Sequence, residues 1–198
     1  MDKYPKIRNE LIDNFSNTKI VEIDEVTEGQ ACTCKIGIDQ CNIDLDKPIL
    51  ISACDNGVYY DKEKYNKLLE DETIDVIVWS FKHNPTSKNN PDMYAWLDIN
   101  KEDDIRYVSV KKCIFDNPYE HCAIIGTMFF RKGRYFMEGL KEIYTKNTRT
   151  NGEYYVDNVL NELIANGYKV KNFEVEHYIC WGTPDDYETY KYWYEYFV

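Results

Sequence analysis

The sequence predicts an α/β fold built on a mixed sheet. Short β-branched and aromatic runs at 49–54, 75–81 and 122–130 have the composition of buried strands. Longer segments at 133–144 and 155–165 carry helical periodicity, and the two kinds alternate along the chain. At 198 residues and 43% hydrophobic, the chain suits one domain over 1–198 with a sizeable core.

Taken in order, residues 3–15 read as a short amphipathic helix and 18–23 as a weakly alternating strand. Thr27-Glu28-Gly29-Gln30-Ala31 is a turn that opens a helix through about Ile38. After Lys47-Pro48 comes the run Ile49-Leu50-Ile51-Ser52-Ala53-Cys54, expected to be a central strand, stopped by the turn residues Asp55-Asn56-Gly57. A short helix over 65–69 precedes the strand at 75–81, and the polar, proline-containing stretch 83–92 reads as a loop. Residues 94–99 and 105–110 are hairpin partners around Asn100-Lys101-Glu102-Asp103. The helix at 155–165 ends on Asn166-Gly167, residues 168–178 form a strand, and 184–197 form a last helix rich in aromatics. Tyr190 and Trp193 are three apart on that helix, and their shared face is expected to pack on the sheet.

Charge narrows the partners. With 24 Lys plus Arg against 35 Asp plus Glu, the net charge is -11, which argues against nonspecific nucleic-acid or anionic-membrane binding. A phosphorylated ligand would need local cations or a divalent metal to overcome that field. The seven cysteines are odd in number, and no apolar leader or membrane-length run accompanies them. Reduced thiols in a cytoplasmic protein are therefore expected. Cys32-Thr33-Cys34 with Cys41 lacks the second Cys pair that a zinc site would need.

Three segments could carry chemistry. Asp55 follows an apolar strand, where ligands bind in open α/β sheets; a hard carboxylate there can hold Mg²⁺ against phosphates, or simply close an Asx-turn. In Trp181-Gly182-Thr183-Pro184-Asp185-Asp186, Thr183 can N-cap the last helix, with Pro184 at its first position and two acids on its dipole. Capping alone explains that segment. Glu153 and Asp157, in Gly152-Glu153-Tyr154-Tyr155-Val156-Asp157, could accept hydrogen bonds from sugar hydroxyls or sit solvated at a helix start.

In that order, Thr27–Ala31, the strand ending at Asp55, Lys112, Ala123-Ile124-Ile125-Gly126, Gly152-Glu153 and Trp181-Gly182-Thr183-Pro184 resemble the sugar-1-phosphate nucleotidyltransferases, from about Ile20 onward. The capsule-type branch, whose domains end in a Trp-Gly-Thr-Pro-x-Asp helix start, is the most similar. The resemblance implies an open mixed, mostly parallel sheet flanked by helices, of the nucleotide-diphospho-sugar transferase (GT-A-like) type. It implies that Gly29 and Gln30 lie against the nucleobase, that Asp55 binds Mg²⁺, and that Lys112 neutralises the sugar phosphate. Gly126, Glu153 and Asp157 would face the acceptor; for the second metal ligand, either Asp185 substitutes for the Asp that the family places at the position of Cys180, or that ligand is absent. The reaction implied is attack of a phosphate oxygen on the α-phosphate of an NTP, with pyrophosphate leaving.

The chain departs from the family pattern at three places. Lys111 stands where a glutamate usually precedes the lysine, and Cys180 where many members place a metal-binding Asp. The family's first strand, Gly-rich phosphate loop and helix have no counterpart in the sequence. The expectation is that either the residues before Val26 rearrange to cover the gap, or a second chain, as a homodimer or as a partner supplying the missing unit, provides the pairing. A GT-A glycosyltransferase and a catalytically inactive binding module are the competing readings.

Overall fold

The structure, a computed structural model, describes residues 5–197. Its first half comprises α1 (Pro5–Asn14), α2 (Gln30–Cys41), β1 (Ile49–Ser52), β2 (Asn56–Tyr59), α3 (Lys62–Glu70), β3 (Val76–Phe81) and α4 (Thr86–Asn89). The hairpin β4 (Ala95–Ile99) and β5 (Ile105–Val110) follows, then β6 (Ala123–Phe130), α5 (Gly133–Lys146) and α6 (Val156–Ala165). The chain closes with β7 (Val170–Glu174), β8 (His177–Cys180) and α7 (Pro184–Phe197).

Six strands form the main sheet, along the path β5-β4-β6-β3-β7 with β1 also on β6. β6 is the hub. Its long side pairs with β3, while β4 at Ala123 and β1 at Thr127–Phe130 share the opposite side end to end. The helix-flanked mixed α/β sheet is as the sequence predicts, but the parallel majority is not. Only β3 and β7 run parallel, and every other named pair is antiparallel. A parallel pair needs a long crossover, which here the segment between β3 and β7 supplies, whereas β4 and β5 are joined by a tight turn. That turn is held by the Asn100 side chain, whose Oδ1 accepts from the Glu102 and Asp104 amides at 2.9 and 2.8 Å.

β3 is buried along its whole length because both sheet faces are covered. Val76 and Val78 point into an aliphatic layer with Phe136, Leu140 and Ile143 of α5 and Val159 and Leu163 of α6. The spacing of the α5 residues, four and three apart, makes one apolar stripe. Each such side chain, fully buried, contributes about 1.5–3 kcal/mol. Ile77, Trp79 and Phe81 point the other way, into an aromatic layer with Trp96, Phe173 and the α3 residue Tyr65. Trp79 and Phe173 meet edge to face at 5.1 Å, a favoured aromatic geometry.

Several expectations are corrected. The run at 49–54 is not a central strand: β1 is an edge, with Ile49 and Ile51 turned to the core and Leu50 55% exposed. Asn56-Gly57 does not turn but starts β2, which pairs antiparallel with β8 in a separate two-stranded sheet. The single strand expected over 168–178 is therefore two, divided where β8 leaves β7 for β2. Residues 18–23 form no strand, and the expected loop at 83–92 contains α4 and a 3-10 turn at Pro91–Met93. α7 has the predicted bounds, yet none of its described residues is buried and Trp193 is 51% exposed. Its side chains are aromatic all round, so the spacing of Tyr190 and Trp193 did not define a core face. Tyr190 alone of the two touches the body, against Trp181 at 5.2 Å.

Candidate active site

Where β1 ends, the chain passes from the main sheet into the small one, and a cleft of about 800 Å³ opens there. Three junctions build it. The first joins β1 to β6: the Ala53 amide donates to the Gly126 carbonyl at 2.9 Å. Gly126 has φ +94°, and a Cβ on it would lie 3.1 Å from that of Ala53, so backbone conformation and space both favour glycine. The second joins the loop after β1 to the loop after β8. Asn56 pairs with Cys180, and the Trp181 amide donates to the Asp55 carbonyl at 2.8 Å. A Cβ on Gly182 would stand 3.3 Å from Asp55 Oδ2 and 3.5 Å from Cys180 Sγ, so the Asp55 carboxylate lies against this loop.

The third junction fixes the start of α2. Tyr154 donates its amide to the Glu28 carbonyl at 2.8 Å and accepts from Ala31 at 3.0 Å. Gly29, between them, has φ +130° and lies so close that a Cβ would stand 2.6 Å from the Tyr154 carbonyl oxygen. Arg149 reinforces the clamp, ion-pairing with Glu28 while lying over the Tyr154 ring at 3.9 Å. The start of α2 and the start of α6 thus form one wall. Gln30 lines it, and so does Asp157.

The structure gathers Gln30, Asp55, Gly126, Asp157 and Asp185 around this one cleft. Gly29 is buried behind it. Glu153 is exposed and outside the lining, its backbone tied in a tight bridge to Thr150. Lys112 is also exposed and outside the lining; its neighbour Lys111 lines the cleft instead. Lys111 has φ +55°, a left-handed conformation that reverses the chain after β5. Its ammonium donates to the Met93 carbonyl and lies 5.5 Å from the centre of the Tyr155 ring. Sequence reading passed over Lys111 because adjacent lysines at a turn are distinguished only by backbone direction. Tyr94 and Tyr178 in the lining were missed too, since nothing local separates a cleft tyrosine from a core one.

Charges around the cleft are mostly negative. Asp55, Asp157, Asp185 and Asp186 line it, and among the described residues Lys111 is the one lysine or arginine in the lining. Asp186 is already engaged: it accepts from Thr183 Oγ1 at 2.7 Å, while its amide donates to that hydroxyl at 3.1 Å, the N-cap predicted for Thr183 at the start of α7. Cys180 adds its thiol, which donates to the same carboxylate at 3.4 Å, and burial pushes its pKa up. Asp157 has its carboxyl raised by burial to about 6, with the Lys111 charge opposing the rise. Among the described residues, no three His, Cys, Asp or Glu side chains converge as a preformed metal site. Mg²⁺ bound through one or two carboxylates plus substrate phosphates needs no such cage, and Asp55 and Asp185 both line the cleft. All seven cysteines are free, and no helix among the described residues is long and apolar enough to cross a membrane.

No protein-family model matches the chain, and no curated protein matches it significantly. Solved structures do. A nucleoside-diphosphate-sugar pyrophosphorylase from Vibrio cholerae matches with a TM-score of 0.66 and 19% identity, over 86% of this chain and 68% of that one. A protein assigned as a glucose-1-phosphate thymidylyltransferase from Bacillus anthracis, solved with sucrose, matches with a TM-score of 0.61 and 15% identity. That match covers 85% of this chain and 61% of the other. The sheet and its helices thus share the fold of these two structures.

Proposed function

We propose that the chain works as a nucleotidyltransferase-type domain. It would transfer a nucleotidyl group from an NTP to a sugar 1-phosphate or similar phosphorylated metabolite, releasing pyrophosphate, for polysaccharide or glycan precursor synthesis. The observation that carries this reading is the convergence on one cleft of Gln30, Asp55, Gly126 and Asp185, which lie far apart in sequence. Gln30 would meet the base, and Asp55 with Asp185 would hold Mg²⁺ on the phosphates. Gly126 and Asp157 would face the acceptor. Lys111, which lines the cleft as Lys112 does not, would neutralise its phosphate. Such transfer needs positioning and charge neutralisation more than a general base, and the lining supplies groups for the first.

The imbalance of four carboxylates to one ammonium in the lining favours a second reading, a binding module that holds a ligand without turnover. A GT-A glycosyltransferase has no observation of its own in the structure. Pyrophosphate release from an NTP panel with sugar 1-phosphates and Mg²⁺ tests the proposal. Nucleoside diphosphate release would indicate glycosyl transfer instead. Asp55→Asn should abolish metal-dependent nucleotide binding while leaving Tm within about 2 °C, because the carboxylate is exposed. Unchanged metal-dependent binding in that variant would remove Asp55 from the metal site.

A further inference from the structure

We infer that the acceptor end of the cleft is built for a phosphorylated amine, a small phosphomonoester whose phosphate meets Lys111 and whose ammonium meets Asp157 and the Tyr155 ring. That this end takes the acceptor rests on the function proposed above. Three side chains set the chemistry. Tyr155 stands just before α6 and Asp157 in its first turn, so one helix start carries both a ring and a carboxylate to the cleft wall. Lys111 reaches them from the turn after β5. Its ammonium lies 5.5 Å from the centre of the Tyr155 ring, and its charge is felt at Asp157. A ring face attracts a cation out to about 6 Å. Yet Lys111 and Asp157 form no ion pair with each other or with any other described residue. The Lys111 ammonium donates to the Met93 carbonyl instead. A group for an anion and a group for a cation thus stand close together on the cleft wall, neither of them neutralised.

Charge selects the ligand. A phosphomonoester brings a charge of about −1.5 to −2 at neutral pH, and the lining that receives it holds four carboxylates and one ammonium. Asp55 and Asp185 are the groups proposed for the metal, and Asp186 is engaged by Thr183. Asp157 is the lining carboxylate left over for an acceptor. Lys111 can offset the acceptor's phosphate, but no second lysine or arginine among the described residues lines the cleft to offset Asp157. A neutral sugar could donate hydroxyls to that carboxylate and would leave its charge in place, where burial disfavours it. An ammonium supplies donors and the opposite charge together, and charge-assisted hydrogen bonds are the stronger kind. It also uses the Tyr155 face, which a hydroxyl does not.

The test reads binding to the whole chain by calorimetry, using matched probes that differ chiefly in one ammonium. Glucosamine 1-phosphate is compared with glucose 1-phosphate, and 2-aminoethyl phosphate with propyl phosphate. Each is titrated alone and with Mg²⁺ and the α,β-methylene analogues of the NTPs, which cannot release pyrophosphate. In at least one pair the amine should bind about tenfold or more tightly than its neutral match. Asp157→Asn should erase that preference, whereas Lys111→Met should weaken both members of the pair alike. Unchanged circular dichroism of both variants separates these losses from unfolding. Equal affinity within both pairs overturns the inference. So does an amine preference that survives Asp157→Asn, or the failure of every probe to bind under either condition. Pyrophosphate release is read separately. Turnover of sugar 1-phosphates with no preference for an amine defeats this inference and keeps the proposed activity. Amine-selective binding without pyrophosphate release from any NTP does the reverse.

Discussion

Replacing Asp157 by Asn should stabilise the protein above neutral pH and have a smaller effect near pH 5. The carboxyl sits in the first turn of α6, half-buried in the cleft wall, with no hydrogen bond or ion pair among the described residues. Burial raises its pKa from 3.8 to about 6, so the folded state holds its proton more tightly than the unfolded chain does. Stability therefore falls as pH rises from about 4, and the loss is complete once pH passes the folded value. At 1.36 kcal/mol per pH unit, the full loss is roughly 3 kcal/mol, of which roughly 1.4 kcal/mol is still to come between pH 5 and pH 8. These are ceilings, since water in the cleft screens part of the effect. Urea unfolding of wild type and Asp157→Asn at pH 5, 6, 7 and 8 measures the difference directly. The variant's advantage should widen with pH while m stays constant. An advantage that does not vary with pH, or a variant less stable at pH 8, would show that the carboxylate is not held against its desolvation. A costly carboxylate in a cleft is also what ligand recognition requires, so the stabilised variant should bind acceptor less well.

Two further substitutions test the frame around the site. Gly29→Ala forces a methyl group against the Tyr154 backbone at φ +130°, and strain with overpacking should cost about 3 kcal/mol, or a Tm loss of about 6–12 °C. A cost under about 0.5 kcal/mol would mean that the start of α2 is not clamped to the start of α6. Trp193→Ala should cost less than about 1 kcal/mol by thermal unfolding, because the ring is half-exposed and its aromatic contacts are with Tyr192, Tyr196 and Phe197 of its own helix; a loss near 3 kcal/mol would restore the packed face expected from spacing.

What the sequence disclosed follows the range of the interactions involved. α5, α6 and α7 were legible because periodicity, caps and Gly167 act over a few residues, and the β4–β5 hairpin because Asn100 organises its own turn. The composition of Ile49–Cys54 says only that it is a strand. Whether it lies at the centre depends on what is beside it, and among the described residues β1 pairs only with β6. Likewise Tyr168–Tyr178 looks continuous, because the switch of β8 from β7 to β2 is decided by pairing with Asn56–Tyr59, more than a hundred residues earlier. Among the cleft-lining residues, the place of Asp55 was readable from the apolar strand before it, while Gly126 came only with the family resemblance. Lys111 was not, since its entry into the cleft depends on a left-handed turn that a pair of lysines does not announce.

The acidity of the cleft then becomes a constraint on how it could work. Opposite charges 4 Å apart near a protein surface attract by about 4 kcal/mol, and like charges repel by as much. A triphosphate entering between Asp55, Asp157 and Asp185 meets repulsion that Lys111 alone does not cancel. A divalent metal carried on the phosphates to Asp55 would supply the missing positive charge. Nucleotide binding should then fall when Mg²⁺ is removed and return when it is restored, and added monovalent salt at equal ionic strength should not replace the metal. Nucleotide affinity that is indifferent to Mg²⁺ would show that the repulsion in the cleft is cancelled in another way.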